Sequence, residues 1–339
     1  MADYKSYHRM KTQPVLSIII PTLNNETQIR ECLESISRQT YKQIEIVIAD
    51  GHSTDMTRKI CMDYHAILID NDKVLAEPGV RLGLSRSKGS YCMVMAADNV
   101  LGNTEFVQQI IEIFELRPDV VGICPQHTSS ETDNLITKYV NEFTDPYSHF
   151  VYQYAANIRT FSEIYTVIFK DNIYTIYDFS THSDTPLLAL AQGFTFRKEH
   201  LNPHHHEGDD ILPVMTLMNA GGNIACAHGI PLYHHTIRDM GHYIRKTRWA
   251  TYNSVHNKPY GISSRTSYLS HNQQFRRKLW PLYAMSLIIP FLISMMHILK
   301  KESYLWLLHA PLCYISACSS IYEYIRYNWH TKNTRVSRS

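Results

Sequence analysis

An α/β fold on a Rossmann-like, mostly parallel sheet with flanking helices, followed by an apolar helical hairpin, is what this sequence predicts. Three observations carry the expectation. Short apolar runs alternate with amphipathic stretches from residue 15 to residue 124, small polar residues end the first runs, and two long uncharged segments lie near the C-terminus.

Residues 15–20, 44–49, 66–69, 92–96 and 120–124 are nearly continuous apolar runs, the pattern of strands covered on both faces. Between the first two, Ile29, Cys32, Leu33 and Ile36 recur at i, i+3, i+4 and i+7, which is one face of a helix. Asn24 or Asn25 stands where an N-cap belongs. Phe106, Ile110, Ile113 and Phe114 mark a second helix, which Pro118 ends. Strands alternating with helices imply parallel pairing with helices on both faces of the sheet. Residues 126–185 are richer in Tyr, Asp, Thr and Ser and break that alternation, which suits a second half of the domain facing an acceptor.

Residues 279–299 and 303–322 hold no formal charge. As helices they would each reach roughly 30 Å, about the thickness of a bilayer core. Arg276, Arg277 and Lys278 precede the pair, and Arg326, Lys332, Arg335 and Arg338 follow it, against Lys300 and Lys301 in the turn. That asymmetry places both ends on the cytoplasmic side. His297, His309, Pro290 and Pro311 interrupt the two segments, so a re-entrant or interfacial hairpin is the alternative to two spans.

Bulk properties exclude several classes. With 33 basic and 31 acidic residues, the chain lacks the positive field of a nucleic-acid binder. Its seven cysteines form no CxxC pair and mostly sit inside apolar runs, as buried free thiols in a reducing compartment do. Residues 1–14 are polar and carry no signal-peptide core. Of the 23 tyrosines, seven lie between Tyr139 and Tyr177, where an apolar ring with a polar tip suits a groove or an interface.

The chemistry-bearing residues cluster at strand ends, where open α/β sheets bind ligands. Ser17-Ile-Ile-Ile-Pro21-Thr22-Leu-Asn24 closes the first strand, and Ile44-Glu-Ile-Val-Ile-Ala-Asp50-Gly-His-Ser53-Thr-Asp55 closes the second. The chain continues in step with Asp70-Asn71, Gly83-Leu84 and Ser87-Lys88-Gly89-Ser90-Tyr91. Met95-Ala96-Ala97-Asp98-Asn99 ends the fourth strand. Further on stand His204-His-His-Glu-Gly-Asp209-Asp210-Ile-Leu-Pro213, then Tyr233-His234-His235, then Arg245-Lys-Thr-Arg248-Trp249. Pro213 is tolerated only in a first helical turn, so Asp209 and Asp210 fall at a helix start. The three adjacent histidines read as a solvated loop, because consecutive residues seldom converge on one ion.

Together these motifs resemble the family-2 glycosyltransferases over about residues 15–249, and their order is similar to that of the succinoglycan-biosynthesis type. The resemblance implies a GT-A fold and inverting transfer from a nucleotide-diphosphate sugar, a UDP-sugar first, to a lipid-linked saccharide acceptor. It implies that Pro21, Thr22, Asn24, Asp50, Ser53 and Asp98 line the nucleotide pocket. It implies Asp210 as catalytic base with Asp209 beside it. A divalent cation, Mg²⁺ or Mn²⁺, would be held by Asp98 and a histidine after the last strand, either His234 or His235. The first acidic position of the family's metal motif is Ala96 here. Arg245, Arg248 and Trp249 resemble a diphosphate- and acceptor-binding motif, with Arg245 in place of a glutamine.

The domain organisation follows: a tail at 1–14 and a catalytic domain at 15–250, with a nucleotide half (15–125) and an acceptor half (126–250). A basic juxtamembrane linker (251–278), the hairpin (279–327) and a basic tail (328–339) complete it. The expected place is the cytoplasmic face of a membrane, the bacterial inner membrane. A polyprenyl-phosphate glycosyltransferase and a non-catalytic sugar-nucleotide-binding protein are the alternatives.

Overall fold

The computed structural model describes residues 15–186, 192–201, 212–256 and 266–336. Four strands, β1 (Leu16–Thr22), β2 (Ile44–Asp50), β3 (Ile67–Asp70) and β4 (Tyr91–Val94), form a parallel block in the order β3-β2-β1-β4. They coincide with the first four apolar runs. Helices α1 (Ile29–Ser37), α2 (Thr57–Asp63) and α3 (Ala76–Arg86) connect them. Ile18 and Ile20 of β1 face one core with Ile29, Cys32, Leu33 and Ile36 of α1. Ile19 faces the other, with Val80 and Leu84 of α3. Both faces are covered, which is why the run shows no polar alternation. Gly83 lets α3 settle on β1, since a Cβ there would meet Ile19 at 2.4 Å.

Beyond β4 the sheet becomes mixed. The later elements are β5 (Asn99–Leu101), α4 (Phe106–Leu116), β6 (Val120–Thr128), α5 (Leu135–Phe143), α6 (Pro146–Tyr152), β7 (Thr166–Lys170) and β8 (Thr175–Asp178). Then follow β9 (Phe194–Arg197), α7 (Leu212–Asn219), β10 (Asn223–His234) and α8 (Met240–His256). The strand order runs β3-β2-β1-β4-β9-β6-β10-β8-β7, with β5 paired to β10. Strand β9 inserts antiparallel between β4 and β6, while β6 and β10 run parallel. The α/β class with flanking helices is borne out, with the parallel pairing concentrated in the N-terminal half.

Neither Asn24 nor Asn25 caps α1. Gln28 precedes that helix, and the Asn25 carbonyl instead accepts from the N–H groups of Gln28 and Ile29 in a turn.

The C-terminal segment holds α9 (His271–Met285), α10 (Ile288–Leu299) and α11 (His309–Val336). The uncharged stretch 279–299 is not one helix: α9 and α10 meet at a 92° bend. Leu287 sits there at φ +53°, and Pro290 has no N–H to bond the Ser286 carbonyl four residues back. Tyr304–Tyr327 is long and apolar enough to cross a membrane, yet half of its most apolar window is buried inside the molecule. The helices do not stand apart from the domain. Cys313 and Ala317 of α11 pack with Trp280, Tyr283 and Ala284 of α9, and Leu312 packs with Tyr139 of α5 and Tyr243 of α8. The buried His309 ring joins the Tyr139 hydroxyl at 2.5 Å and the Tyr283 hydroxyl at 2.8 Å.

Candidate active site

Register sets the first half of the site. Thr22 pairs with Asp50, and Asp50 with Asp70, so the last residues of β1, β2 and β3 stand side by side at the C-terminal edge of the sheet. The buried Asp50 carboxylate accepts from the Ser53 N–H at 3.0 Å, the Ser53 hydroxyl at 2.5 Å and Arg58 at 2.8 Å. Arg58 also reaches Asp70 at 2.7 Å, and this contact holds the exposed Asp70 carboxyl below the usual carboxylate range. Asp50 is thus already satisfied by its own loop, and Arg58, which sequence reasoning missed, bridges two strand ends.

The loops after β1 and β2 are laced to each other. The Asn24 N–H donates to the Ser53 hydroxyl, and the Asn24 side-chain carbonyl accepts from the Thr54 N–H. The Asn25 N–H donates to Thr57, the Glu26 N–H to Asp55, and the Met56 N–H to Glu26. Asn24 has a left-handed backbone, φ +50°, which asparagine tolerates better than most residues. The residues expected to line the pocket, Pro21, Thr22, Asn24, Asp50 and Ser53, are therefore brought together along one rim.

The second half is built around Asp98. After β4 the chain turns at Ala96–Asn99, where the buried Asn99 side chain accepts from the Ala96 N–H and donates to Gln192. Antiparallel pairing of β5 with β10 sets His234 opposite Asn99, and the His235 N–H donates to the Asp98 carbonyl. This places His234 Nε2 3.6 Å from Asp98 Oδ2. His235 faces away, with Nδ1 2.8 Å from Asp133. Of the two histidines, His234 is the one that strand alternation turns towards Asp98. Burial pushes the Asp98 carboxyl up, but His234 and then Lys246 outweigh it and hold the group well below its ordinary value. His127 lies behind His234, ring centroids 5.7 Å apart. Burial, then His234, push its imidazole down to about 4. A neutral ring facing the Gln192 carbonyl at 3.1 Å carries its proton on Nε2.

Asp98 Oδ1 and His234 Nε2 are both buried without a hydrogen-bond partner. A carboxylate oxygen and an imidazole nitrogen, the latter once it has shed its proton, are ligand types that a divalent cation takes. No group of three or more His, Cys, Asp or Glu among the described residues could hold an ion. Asp98 and His234 thus form a corner of two candidate ligand side chains.

The Arg245–Trp249 segment divides. Arg245 is exposed beside Asp239, and the Trp249 ring is exposed. Arg248 turns to α11, where its Nε meets Glu323 at 3.0 Å and its guanidinium lies over Tyr322. Lys246, which sequence reasoning passed over, is the one that points to Asp98, at 3.9 Å. Asp209 and Asp210 lie outside the described residues.

This chain matches the family model "Glycosyl transferase family 2" over residues 17–179. It is 28% identical over 156 residues to the glycosyltransferase GlyA of Streptococcus pneumoniae serotype 4, covering 44% of this chain and 21% of that protein. It is 33% identical over 132 residues to EpsH of Bacillus subtilis, also named as a glycosyltransferase, covering 39% of this chain and 36% of that one. The matches thus span well under half of either relative. The mannosyltransferase PcManGT of Pyrobaculum calidifontis, solved with GDP-Man and Mn²⁺, superposes over 94% of this chain and 93% of its own at TM-score 0.51 and 13% identity. A GT-A-type fold, strand ends laced into one rim and a family match over the same residues lead to one conclusion: residues 17–179 form a glycosyl transferase family 2 domain.

Proposed function

We propose that this chain is an inverting glycosyltransferase that moves a sugar from a nucleoside-diphosphate donor, a UDP-sugar first, to a lipid-linked saccharide at the cytoplasmic face of a membrane. The observation that carries the reading is the pair of buried, unpartnered ligand atoms, Asp98 Oδ1 and His234 Nε2, beside the strand ends of a family-2 domain. Asp98 and His234 would hold Mg²⁺ or Mn²⁺, whose role when bound is to neutralise the departing diphosphate. The Pyrobaculum enzyme of similar fold was solved with GDP-Man and Mn²⁺ together, which supports a cation beside a diphosphate.

The pocket rim from Pro21 to Ser53 orients the nucleotide. Asp210, with Asp209 beside it, takes the proton of the acceptor hydroxyl. The hydroxyl oxygen then bonds to the anomeric carbon as the bond from that carbon to the phosphate oxygen breaks, and its electrons leave with the nucleoside diphosphate. Trp249 offers an exposed ring face for a sugar, and Arg245 an exposed cation. Membrane association is supported by α10, which exposes Ile288, Phe291, Leu292, Met296 and Leu299, with the exposed Lys300 and Lys301 at its end. Its 12 residues reach only about 18 Å, which favours lying in the interface over crossing.

The test is a donor panel supplied with membrane lipids carrying lipid-linked saccharides, reading nucleoside diphosphate release and the anomeric configuration of the product. Transfer with inversion is expected, lost in EDTA and in Asp98→Ala. A retained configuration overturns the mechanism, and binding without turnover across the panel overturns the activity.

A further inference from the structure

Lys246 lies one turn and a half into α8. Its Nζ is 2.6 Å from the Thr236 hydroxyl and 3.3 Å from the Thr236 carbonyl. An ammonium has three N–H groups, and Thr236 takes two. Asp98 Oδ2, at 3.9 Å, is too far for a hydrogen bond to the third. At that distance Nζ still stands beside the corner where Asp98 Oδ1 and His234 Nε2 are unpartnered, with a third N–H that Thr236 does not take. The side chain is 44% exposed, so an incoming anion can reach it, while Thr236 is buried and anchors it.

The charges at this corner cancel. Asp98 brings one negative charge, Lys246 one positive, and Ala96 none. A corner without net negative charge draws a dication weakly, whereas a fixed ammonium attracts a diphosphate directly. We infer that Lys246, oriented by Thr236, binds a non-bridging oxygen of the nucleoside diphosphate and shares its neutralisation with the cation, so that diphosphate binding persists in part when the cation is removed. This rests on reading the strand-end pocket as a nucleotide site.

The experiment uses the full chain in detergent and isothermal calorimetry with UDP, GDP, ADP, CDP and dTDP, and with the matching monophosphates, in Mn²⁺ and in EDTA. In wild type, the preferred diphosphate should still bind more tightly than its monophosphate in EDTA. Lys246→Met should lower diphosphate affinity in EDTA about tenfold or more, the scale of one charged hydrogen bond, and collapse the diphosphate-to-monophosphate ratio. Lys246→Arg should restore much of that ratio. Thr236→Val, which keeps the charge and loosens its anchor, should fall between. A lysine that only tethers α8 to Thr236 would lower the unfolding temperature in Lys246→Met and leave the ratio unchanged, which overturns the inference. So does wild-type protein that fails to prefer the diphosphate in EDTA while binding it in Mn²⁺. If no nucleotide binds in either condition, the nucleotide-site reading itself falls and takes the inference with it.

Discussion

The guanidinium of Arg248 meets the carboxylate of Glu323 at 3.0 Å, joining α8 to α11 across 75 residues of chain. Glu323 is buried and is also reached by Arg326, so two cations stabilise one desolvated acid. The motif arginine thus works on the C-terminal helix, two residues on from the lysine that stands beside Asp98.

Arg248→Ala should therefore act on stability. Leaving a buried carboxylate with a single half-exposed cation should cost about 1–3 kcal/mol in urea unfolding, with nucleotide affinity unchanged. A double-mutant cycle with Glu323→Gln should return a coupling of about 0.5 kcal/mol or more. A loss of diphosphate affinity with unchanged stability would return Arg248 to the donor site.

Asp210→Asn should lower turnover by about 10²–10⁴-fold while donor binding persists, because the amide keeps the size but cannot take a proton. Asp209→Asn is the comparison and should cost less. Turnover within a few-fold of wild type in Asp210→Asn, at saturating donor and acceptor, would remove the assignment, and a larger loss in Asp209→Asn would move the base by one residue.

Stability should fall on acidification through His149. Burial is the main cause that pushes this imidazole down to about 4, against an unfolded value near 6.5. The folded state therefore keeps the ring neutral, and its contribution is complete above about pH 6.5 and lost as pH falls towards 4. The ring nitrogen Nδ1 faces the Phe143 carbonyl at 3.2 Å, so it carries the proton. Unfolding temperature measured from pH 7.5 to 4.5 should drop less steeply in His149→Gln. Parallel slopes would show that other groups govern the acid limb.

Ile288→Glu with Leu292→Glu should release the protein from lipid vesicles in flotation assays. Both positions are exposed on α10, so the fold should tolerate them within about 0.5 kcal/mol each. Removing residues 275–339 would be a poor alternative, because Trp280, Tyr283 and Cys313 belong to a core shared with Tyr147 and Phe150. Undiminished flotation of the double variant would place the membrane contact elsewhere.

Much of the first half was legible in the sequence, and the reason is local. Strands buried on both faces need apolar runs, and the polar residues at their ends, Thr22, Asp50 and Asp98, follow directly. What escaped depends on partners far along the chain. His234 and His235 are separated only by the β5–β10 register, which no local pattern reveals. Arg248 and Lys246 sit two residues apart in one basic segment, and Glu323 decides which of them turns away from the site. Strand β9 carries a Phe-Thr-Phe-Arg alternation that was a usable signal, but its antiparallel insertion between β4 and β6 is set by tertiary packing. The break at Leu287 was foreshadowed by Pro290, whose missing N–H leaves the Ser286 carbonyl without its helical donor.

The lacing between the loops after β1 and β2 has a thermodynamic consequence. Asn24, Asn25 and Glu26 on one side and Ser53, Thr54, Asp55, Met56 and Thr57 on the other are ordered by their own hydrogen bonds. A ligand arriving at such a rim loses little affinity to freezing loops, because that conformational entropy was surrendered when the chain folded. Nucleotide association here should thus be preorganised: fast, with a heat-capacity change set by the ligand's own buried area, and with slow amide exchange from residue 24 to residue 57 before any ligand is present.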